Sequence, residues 1–319
     1  MLSRLGLPPS IFPPVTPCET VIGTVLPEAA AQTGLAPGTP VLSGQTDCNA
    51  GWLGAGATRP GDLQMNMGTC GNFGVIQTDM DFLPSMINFP YTVPETYITV
   101  PTTSTGGVLM RYMRDGFSEL EKAAAAVTGQ DVYDLLNLEA ARIPAGSEGL
   151  VVLPYLMGER TPIWDADAKG TVFGLSLRHT KAHLVRAMME SVAYALYHSY
   201  EVLEPHIAHK PQRLILNEGG AKSALWRRII TDVFNIPTAM VKNRVGAPYG
   251  DCLLAGVGAG LLGFDAARDK AELIDALEPD PAAHEVYMDY FKIYKALYLQ
   301  LKDLFGELAR TNNRHQGTD

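Results

Sequence analysis

One segment of the chain carries an unmistakable helical pattern. After Thr180, a residue that favours the N-cap of a helix, apolar side chains recur every three or four residues. The residues that form this apolar stripe are Leu184, Val185, Met188, Met189, Val192, Leu196 and Tyr200. The spacing predicts a long helix with one buried face.

Shorter apolar runs alternate with further helical patterns along the chain. The runs predict strands at 40–43, which we expect to be buried, and at 63–66, 72–76, 97–100, 150–153, 214–216 and 238–241. The helical patterns predict helices at 26–33, 49–56, 105–113, 225–234, 250–262 and 287–308. Because strands and helices alternate, the predicted fold class is α/β.

Composition narrows the class of protein. The 319 residues suffice for one large or two ordinary domains, and 46% hydrophobic against 18% charged residues is typical of globular chains. A net charge of −9 argues against nucleic-acid binding, and no apolar run approaches the length of a membrane span. The four cysteines are far apart in sequence, which indicates a reduced compartment. We therefore expect a cytoplasmic protein with no nucleic-acid or membrane partner.

Asp47 is the first candidate for chemistry. It follows the predicted strand at 40–43, and ligands of open α/β sheets gather at the carboxyl ends of strands. A carboxylate placed there can take a proton from a substrate hydroxyl while that oxygen attacks phosphorus. The alternative is that Asp47 only caps the helix that follows, since Asp is a favoured N-cap.

Two glycine turns are candidates for anion and nucleotide binding. The turn from Gly68 through Thr69 lies between two predicted strands and can direct backbone N–H groups at one point, or it can be an ordinary hairpin turn. Gly219 and Gly220 connect a strand to a helix, where a flat or charged ligand can approach the backbone closely. The alternative for this second turn is a tight connection without a ligand.

Two other motifs do not survive inspection of their context. The glycines at 258, 260 and 263 match a dinucleotide-binding pattern, but they end a predicted helix instead of following a strand. His179 and His183 have the spacing of a metal pair, but neither an intervening glutamate nor a third ligand is nearby in sequence. We therefore predict no metal site from residues of this chain.

The order of these segments resembles that of the FGGY carbohydrate kinases, and within them the xylulokinase-like branch. The segment GTVFGLSLRHTKAHLVRAMME at 170–190 fits the C-terminal signature of that family throughout. PYLMGERTPIWD at 154–165 looks like the xylulokinase-type segment just upstream of the signature. The similarity runs from about Thr24 to about Phe305.

The resemblance implies the actin-like ATPase fold, which is built from two RNase-H-like α/β domains with ATP in the cleft between them. By position, Asp47 becomes the catalytic base that deprotonates the sugar hydroxyl, and Glu190 of the signature helix has a structural role. The positions that match the family's ATP-binding residues are Gly68, Thr69, Gly106, Gly219, Gly220, Ser223, Gly246 and Gly250. Mg²⁺ is expected to accompany ATP.

Three positions depart from the family pattern. Cys48 stands where Gln or Asn is frequent, Cys70 replaces Ser or Gly, and Ala224 lies where some relatives place an adenine-contacting Asn. None of the three substitutions removes a group that phosphoryl transfer requires.

The resemblance also predicts how the chain is divided. Residues 1–58 are expected to be a C-terminal remnant of the first, sugar-binding domain, 59–305 a complete second, nucleotide-binding domain, and 306–319 a polar tail. The expected activity is ATP-dependent phosphorylation of a sugar or polyol, with a ketopentose such as xylulose favoured. The chain alone is expected to be inactive unless a separate N-terminal domain or a homodimer completes it. The alternative is a catalytically silent nucleotide-binding fragment or a subunit of a split kinase.

Overall fold

The computed structural model describes residues 2–242 and 246–316. The helices, in chain order, are α1 Pro27–Thr33, α2 Asp47–Gly54, α3 Gly107–Phe117, α4 Glu119–Thr128, α5 Val132–Ala140, α6 Lys181–Leu203, α7 Ala224–Phe234, α8 Ala247–Gly258, α9 Asp265–Asp269 and α10 Pro281–Gln316. The strands are β1 Val21–Thr24, β2 Pro40–Leu42, β3 Leu63–Met67, β4 Gly71–Gln77, β5 Asn88–Pro90, β6 Tyr97–Thr99, β7 Thr102–Thr103, β8 Val151–Leu153, β9 Thr171–Phe173, β10 Leu214–Asn217, β11 Thr238–Val241 and β12 Leu273–Leu277. The alternation confirms the predicted α/β class.

The described residues fall into two compact units. The first unit contains 2–58, 91–95 and 246–271, and the second unit contains 59–90, 96–242 and 272–316. Within the first unit, β1 and β2 form an antiparallel pair, and α2 packs against α8. These units do not coincide with the predicted domains, which join 246–271 to the second domain. The domain assignment therefore stays a prediction.

Close helix contact explains why α8 belongs to the first unit. A side-chain Cβ at Gly250 would lie 1.8 Å from the carbonyl oxygen of Ala50 in α2. Gln45, just before α2, donates from Nε2 to Asp251 Oδ1 in α8 at 3.2 Å and accepts a hydrogen bond from Thr92 Oγ1. These contacts hold together three stretches of chain that are distant in sequence.

The second unit is organised by one mixed sheet, in which the order of strands is β12, β11, β10, β3, β4, β6 and β5, with β7 also paired to β4. The β10 strand is parallel to both β3 and β11, and the other pairs are antiparallel. Leu63 lies opposite Leu214, and Asn66 lies opposite Asn217. The carboxyl ends of β3 and β10 therefore meet at the same edge of the sheet.

The α6 helix is the core helix of the second unit, as its pattern predicts. Thr180 is its N-cap and forms a capping box with His183, which accounts for the histidine spacing without a metal. Glu190 is 1% exposed. It accepts hydrogen bonds from the Arg186 guanidinium at 2.8 Å and from Ser147 Oγ at 2.9 Å. These contacts support the structural role expected for Glu190.

The structure differs from the sequence prediction in three places. Strand β2 was predicted to be buried, but Val41 is 41% exposed. The α4 and α5 helices were not predicted, although Asp131 accepts a hydrogen bond from the Tyr133 amide at 2.8 Å as an N-cap. The last helix was predicted to end at 308, but α10 continues to Gln316. Glu307, Leu308, Ala309 and Arg310 are good helix formers and extend the helix beyond the buried Phe305.

Burial of His198 in α6 makes stability depend on pH. Desolvation lowers the pKa of His198 from 6.5 to about 4. Between these values the unfolded chain binds a proton that the folded chain excludes, so stability falls as pH falls, by up to about 1.4 kcal/mol per pH unit. We predict that His198→Gln loses less thermal stability than the parent between about pH 6.5 and pH 4. A His315→Gln control, at an exposed position of α10, should behave like the parent, and an unchanged pH dependence in His198→Gln would contradict the prediction.

Candidate active site

The two predicted glycine turns lie side by side at one edge of the sheet. Gly68 follows β3 directly, and Gly219 follows β10 after one intervening residue. Both turns line one cavity of about 410 Å³ within the second unit. Its walls are formed by Met67, Gly68, Thr69, Gly107, Met110, Arg111, Asp131, Tyr133, Asp134, Asn137, Met189, Gly219, Gly220, Lys222, Ser223 and Trp226. Five of the eight predicted ATP-binding residues are among them.

The Gly68 turn is closed by the start of α3. The Gly107 amide donates to the Gly68 carbonyl at 2.7 Å, and the Gly106 amide donates to the Thr69 carbonyl at 3.0 Å. A Cβ at Gly106 would lie 2.5 Å from the carbonyl carbon of Cys70, so only glycine fits there. These hydrogen bonds join the N-terminal end of α3 to the turn, because carbonyls of the turn accept from the first amides of the helix. Gly106 itself shapes the turn behind the cavity wall.

A buried carboxylate holds the segment that leads into α3. Glu159 is 6% exposed and accepts hydrogen bonds from Thr103 Oγ1 at 2.6 Å and from the amides of Ser104 and Arg160 at 2.8 and 2.6 Å. Desolvation raises the pKa of Glu159, and the three donors act in the opposite direction. Glu159 belongs to the PYLMGERTP segment, so this part of the motif positions the strand that precedes Gly106.

A neighbouring threonine pair reinforces that anchor. The Thr102 amide donates to Thr161 Oγ1 at 2.7 Å, and the Thr161 amide donates to the Thr102 carbonyl at 3.2 Å. Thr161 Oγ1 also lies 3.0 Å from Ser199 Oγ in α6. The approach to α3 is therefore attached to the core helix.

The second turn contains two glycines with different surroundings. A Cβ at Gly220 would lie 2.7 Å from Met67 Cβ, whereas a Cβ at Gly219 would meet no atom within 4 Å. Glu218, with a left-handed φ of 68°, places its carboxylate beside Gly68. Partial burial raises the pKa of Glu218. Gly220 is thus required by packing, and Gly219 leaves space at the cavity wall.

The far wall of the cavity comes from α5 and α7. Ser223 caps α7, because its Oγ accepts from the Trp226 amide at 3.1 Å. The same Oγ donates to Asn137 Oδ1 at 3.0 Å. Trp226 is buried and donates from Nε1 to the Met189 carbonyl at 3.0 Å. The sequence analysis did not predict α5 or its place in the cavity wall, although Asp131 is a favoured N-cap residue that could have indicated the start of this helix.

Asp47 belongs to the first unit and begins α2. Thr46, not Asp47, is the N-cap of this helix, and Thr46 Oγ1 accepts from the Asn49 amide at 3.3 Å. Asp47 is exposed, and its Oδ1 accepts from the Cys48 amide at 2.7 Å. Thr46 therefore holds the N-cap position, and Asp47 satisfies a first-turn amide from the next position.

Gly246 and Gly250 also belong to the first unit. Gly246 caps α8 with a left-handed φ of 66°, and Gly250 meets Ala50 in the contact between α8 and α2. Backbone conformation at Gly246 and close packing at Gly250 therefore explain why glycine occupies these two positions. Neither is among the residues that line the cavity of the second unit, and their contact with a nucleotide stays a prediction.

Two segments of the chain match the models of one protein family. Residues 63–259 match the model of the FGGY family of carbohydrate kinases, C-terminal domain, and residues 1–54 match the model of the N-terminal domain of the same family. The first match covers more than half of the chain. The chain belongs to the FGGY family of carbohydrate kinases.

Relatives with different names are similarly close to the chain. A xylulose kinase of Staphylococcus epidermidis is 30% identical over 311 residues, which is 95% of this chain and 60% of that protein. A gluconokinase of Bacillus subtilis is 32% identical over 307 residues, which is 95% of this chain and 60% of that protein. The crystal structure of xylulose kinase from Rhodospirillum rubrum matches with a TM-score of 0.84 and 36% identity, over 96% of this chain and 60% of that chain. The chain thus spans about 60% of the length of these relatives.

These structural relatives confirm the actin-like ATPase fold expected from the sequence. In the part of the chain that the structure describes, no helix is both long enough and apolar enough to cross a bilayer.

The Glu159 anchor generates a prediction. Glu159→Ala leaves three buried donors without their acceptor, which should cost about 3 kcal/mol of stability and weaken ADP binding at temperatures where the protein stays folded. Glu159→Gln keeps an acceptor oxygen for the two amides and should retain most of both properties. Thermal unfolding and calorimetric ADP titration provide the two readouts.

Glu307→Ala, at an exposed position of α10, is the control for a general effect of removing a carboxylate. A Glu159→Ala protein that matches the parent in unfolding temperature and in ADP affinity would contradict the anchoring role.

Proposed function

We propose that this chain takes part in the transfer of the γ-phosphate of ATP to a hydroxyl of a sugar or polyol. The observation that carries the proposal is the convergence of the two glycine turns, after β3 and β10, on one cavity beside the N-terminal end of α3. Backbone N–H groups at such a point bind phosphate, and the rest of the cavity suits a nucleoside.

The cavity walls contain both apolar and charged side chains. Met110, Met189 and Trp226 supply apolar and aromatic surface for a base. Arg111 and Lys222 bring positive charge that Asp131 and Asp134 balance, so phosphate binding rests on the backbone N–H groups of the turn. The Gly68 and Thr69 turn is then the phosphate end of the site.

Magnesium fits this site as a companion of the nucleotide. In the described ranges, 2–242 and 246–316, no group of three or more His, Cys, Asp or Glu side chains could hold a metal by itself. Mg²⁺ is usually bound by one or two carboxylates together with substrate phosphates and water. Glu218, beside Gly68, is the carboxylate that we assign to this role. When bound, Mg²⁺ would neutralise charge on the phosphates.

Asp47 is our proposal for the general base. It is an exposed carboxylate in the first turn of α2, and its capping function is already taken by Thr46. A base in this role takes the proton of the sugar hydroxyl as the oxygen attacks phosphorus. The backbone donors of the phosphate turn stabilise the charge of the transferring group.

A ketopentose such as xylulose is the proposed acceptor. The relatives above bear the names xylulose kinase and gluconokinase at similar identity, so a coupled assay with xylulose, ribulose, gluconate and glycerol is the direct test. Turnover fastest with xylulose supports the proposal, and turnover fastest with gluconate would overturn the acceptor. The expectation that the 319 residues alone are inactive stays a prediction of the same assay.

The two glycines of the second turn have different surroundings, so substituting each one tests a different property: ligand binding at Gly219 and packing at Gly220. We predict that Gly219→Leu folds normally but loses most ADP binding, because Gly219 has helical angles, φ −64° and ψ −42°, and open space at the cavity wall. Gly220→Ala should instead lower the unfolding temperature, because its Cβ would collide with Met67.

Gly116→Leu, in the exposed part of α3 with no atom within 4 Å of its Cβ position, is the matched control and should leave both properties unchanged. Unaltered ADP affinity in Gly219→Leu would contradict the location of the nucleotide.

Substitution of Asp47 tests the base. In an enzyme completed by an N-terminal domain, Asp47→Asn should lower kcat by roughly 10²-fold or more. ADP affinity and unfolding temperature should stay the same, because Thr46 holds the N-cap and the substitution keeps an Oδ1 acceptor for the Cys48 amide. Asp269→Asn, exposed in the same unit, is the control. Near-normal turnover by Asp47→Asn would show that another group takes the proton.

A further inference from the structure

We infer that Asn137 reads the base of the bound nucleotide and selects adenine over guanine. The inference rests on the proposed nucleotide binding in the second unit. It assigns base recognition to α5, which the sequence analysis did not predict.

Asn137 is a polar residue at the cavity wall whose side chain is held in one orientation. Its Oδ1 accepts from Ser223 Oγ at 3.0 Å, and that hydroxyl is itself fixed because it accepts from the Trp226 amide at 3.1 Å. The Ser223 hydroxyl therefore donates to Oδ1 and accepts from the Trp226 amide. Oδ1 keeps a second lone pair, and Nδ2 keeps its two protons for a ligand.

The surroundings favour a flat aromatic ligand. Trp226 is buried, and its indole N–H is held by the Met189 carbonyl at 3.0 Å. Met110, Met189 and the half-buried Tyr133 complete an apolar rim around Asn137. A purine ring stacks well on thioether and aromatic surface. In such a rim a polar contact at the ring edge decides orientation and specificity.

The carboxamide matches adenine and opposes guanine. Adenine presents the N6 amino donor beside a ring-nitrogen acceptor, and a carboxamide satisfies both at once through Oδ1 and Nδ2. Guanine presents the O6 acceptor and the N1 proton at the corresponding places, so oxygen faces oxygen and proton faces proton. A matched bidentate pair of this kind corresponds to a preference of roughly tenfold to a hundredfold.

The test is calorimetric titration of ADP and GDP into the full chain, with inosine diphosphate as a third ligand. The unchanged protein should prefer ADP by roughly tenfold or more, and inosine diphosphate should bind as weakly as GDP because it also carries a 6-oxo group and an N1 proton. This comparison needs no variant. Equal affinity for ADP and inosine diphosphate would overturn the inference while leaving nucleotide binding intact.

Asn137→Asp sharpens the test, because a carboxylate accepts from guanine N1–H and N2–H but cannot donate to adenine. The variant should lose ADP affinity and gain GDP affinity, so that the ratio falls to about one or below. A purely structural role would weaken both ligands together. Asn312→Asp, the same change at an exposed position of α10, should leave the ratio at the parent value.

The outcomes separate the inference from the proposed function. An ADP preference that Asn137→Asp abolishes supports both. An ADP preference that survives Asn137→Asp in a folded protein overturns the role of Asn137 and leaves the nucleotide site standing. Failure of the unchanged chain to bind any of the three nucleotides overturns the inference together with the proposed function.

Discussion

The parallel pairing of β3 with β10 is the constraint on which the candidate site depends. Because the two strands run in the same direction with Asn66 opposite Asn217, both end at one edge of the sheet. Each strand is followed by a glycine-containing turn, in which Gly68 adjoins the Glu218 carboxylate and Gly220 packs against Met67. Strand pairing, and not sequence proximity, brings the Gly68 turn and the Gly219 turn to one cavity.

Buried polar contacts keep this edge in place. Glu159 holds the segment before α3 through three donors, and Thr161 joins the same segment to Ser199 in the core helix. Such contacts cost free energy to bury and are useful only when every donor is satisfied, as it is at Glu159. The family motif around Glu159 thereby positions the segment that leads into α3, although Glu159 itself does not line the cavity.

Sequence patterns predicted the elements whose signals are local. The apolar stripe of α6, its Thr180 cap and the glycine turns at 68 and 219 all follow from nearest-neighbour chemistry. The resemblance to a family identified Asp47 as the expected base. The local sequence alone could not distinguish that role from a helix cap. Asn137 was missed because its relevance depends on a tertiary contact with Ser223, 86 residues away. The end of α10 was missed because the polar residues after Arg310, several of them poor helix formers, are typical of a tail.

The central claim is that a nucleotide occupies the cavity of the second unit, with its phosphates at the Gly68 turn. A crystal structure of the chain with ADP and Mg²⁺ tests this claim most directly. The account predicts phosphate oxygens within hydrogen-bonding distance of the backbone N–H groups of the turn that begins at Gly68, and the adenine edge against Asn137. Density for ADP at another place, or an empty cavity at a saturating ADP concentration, would contradict it.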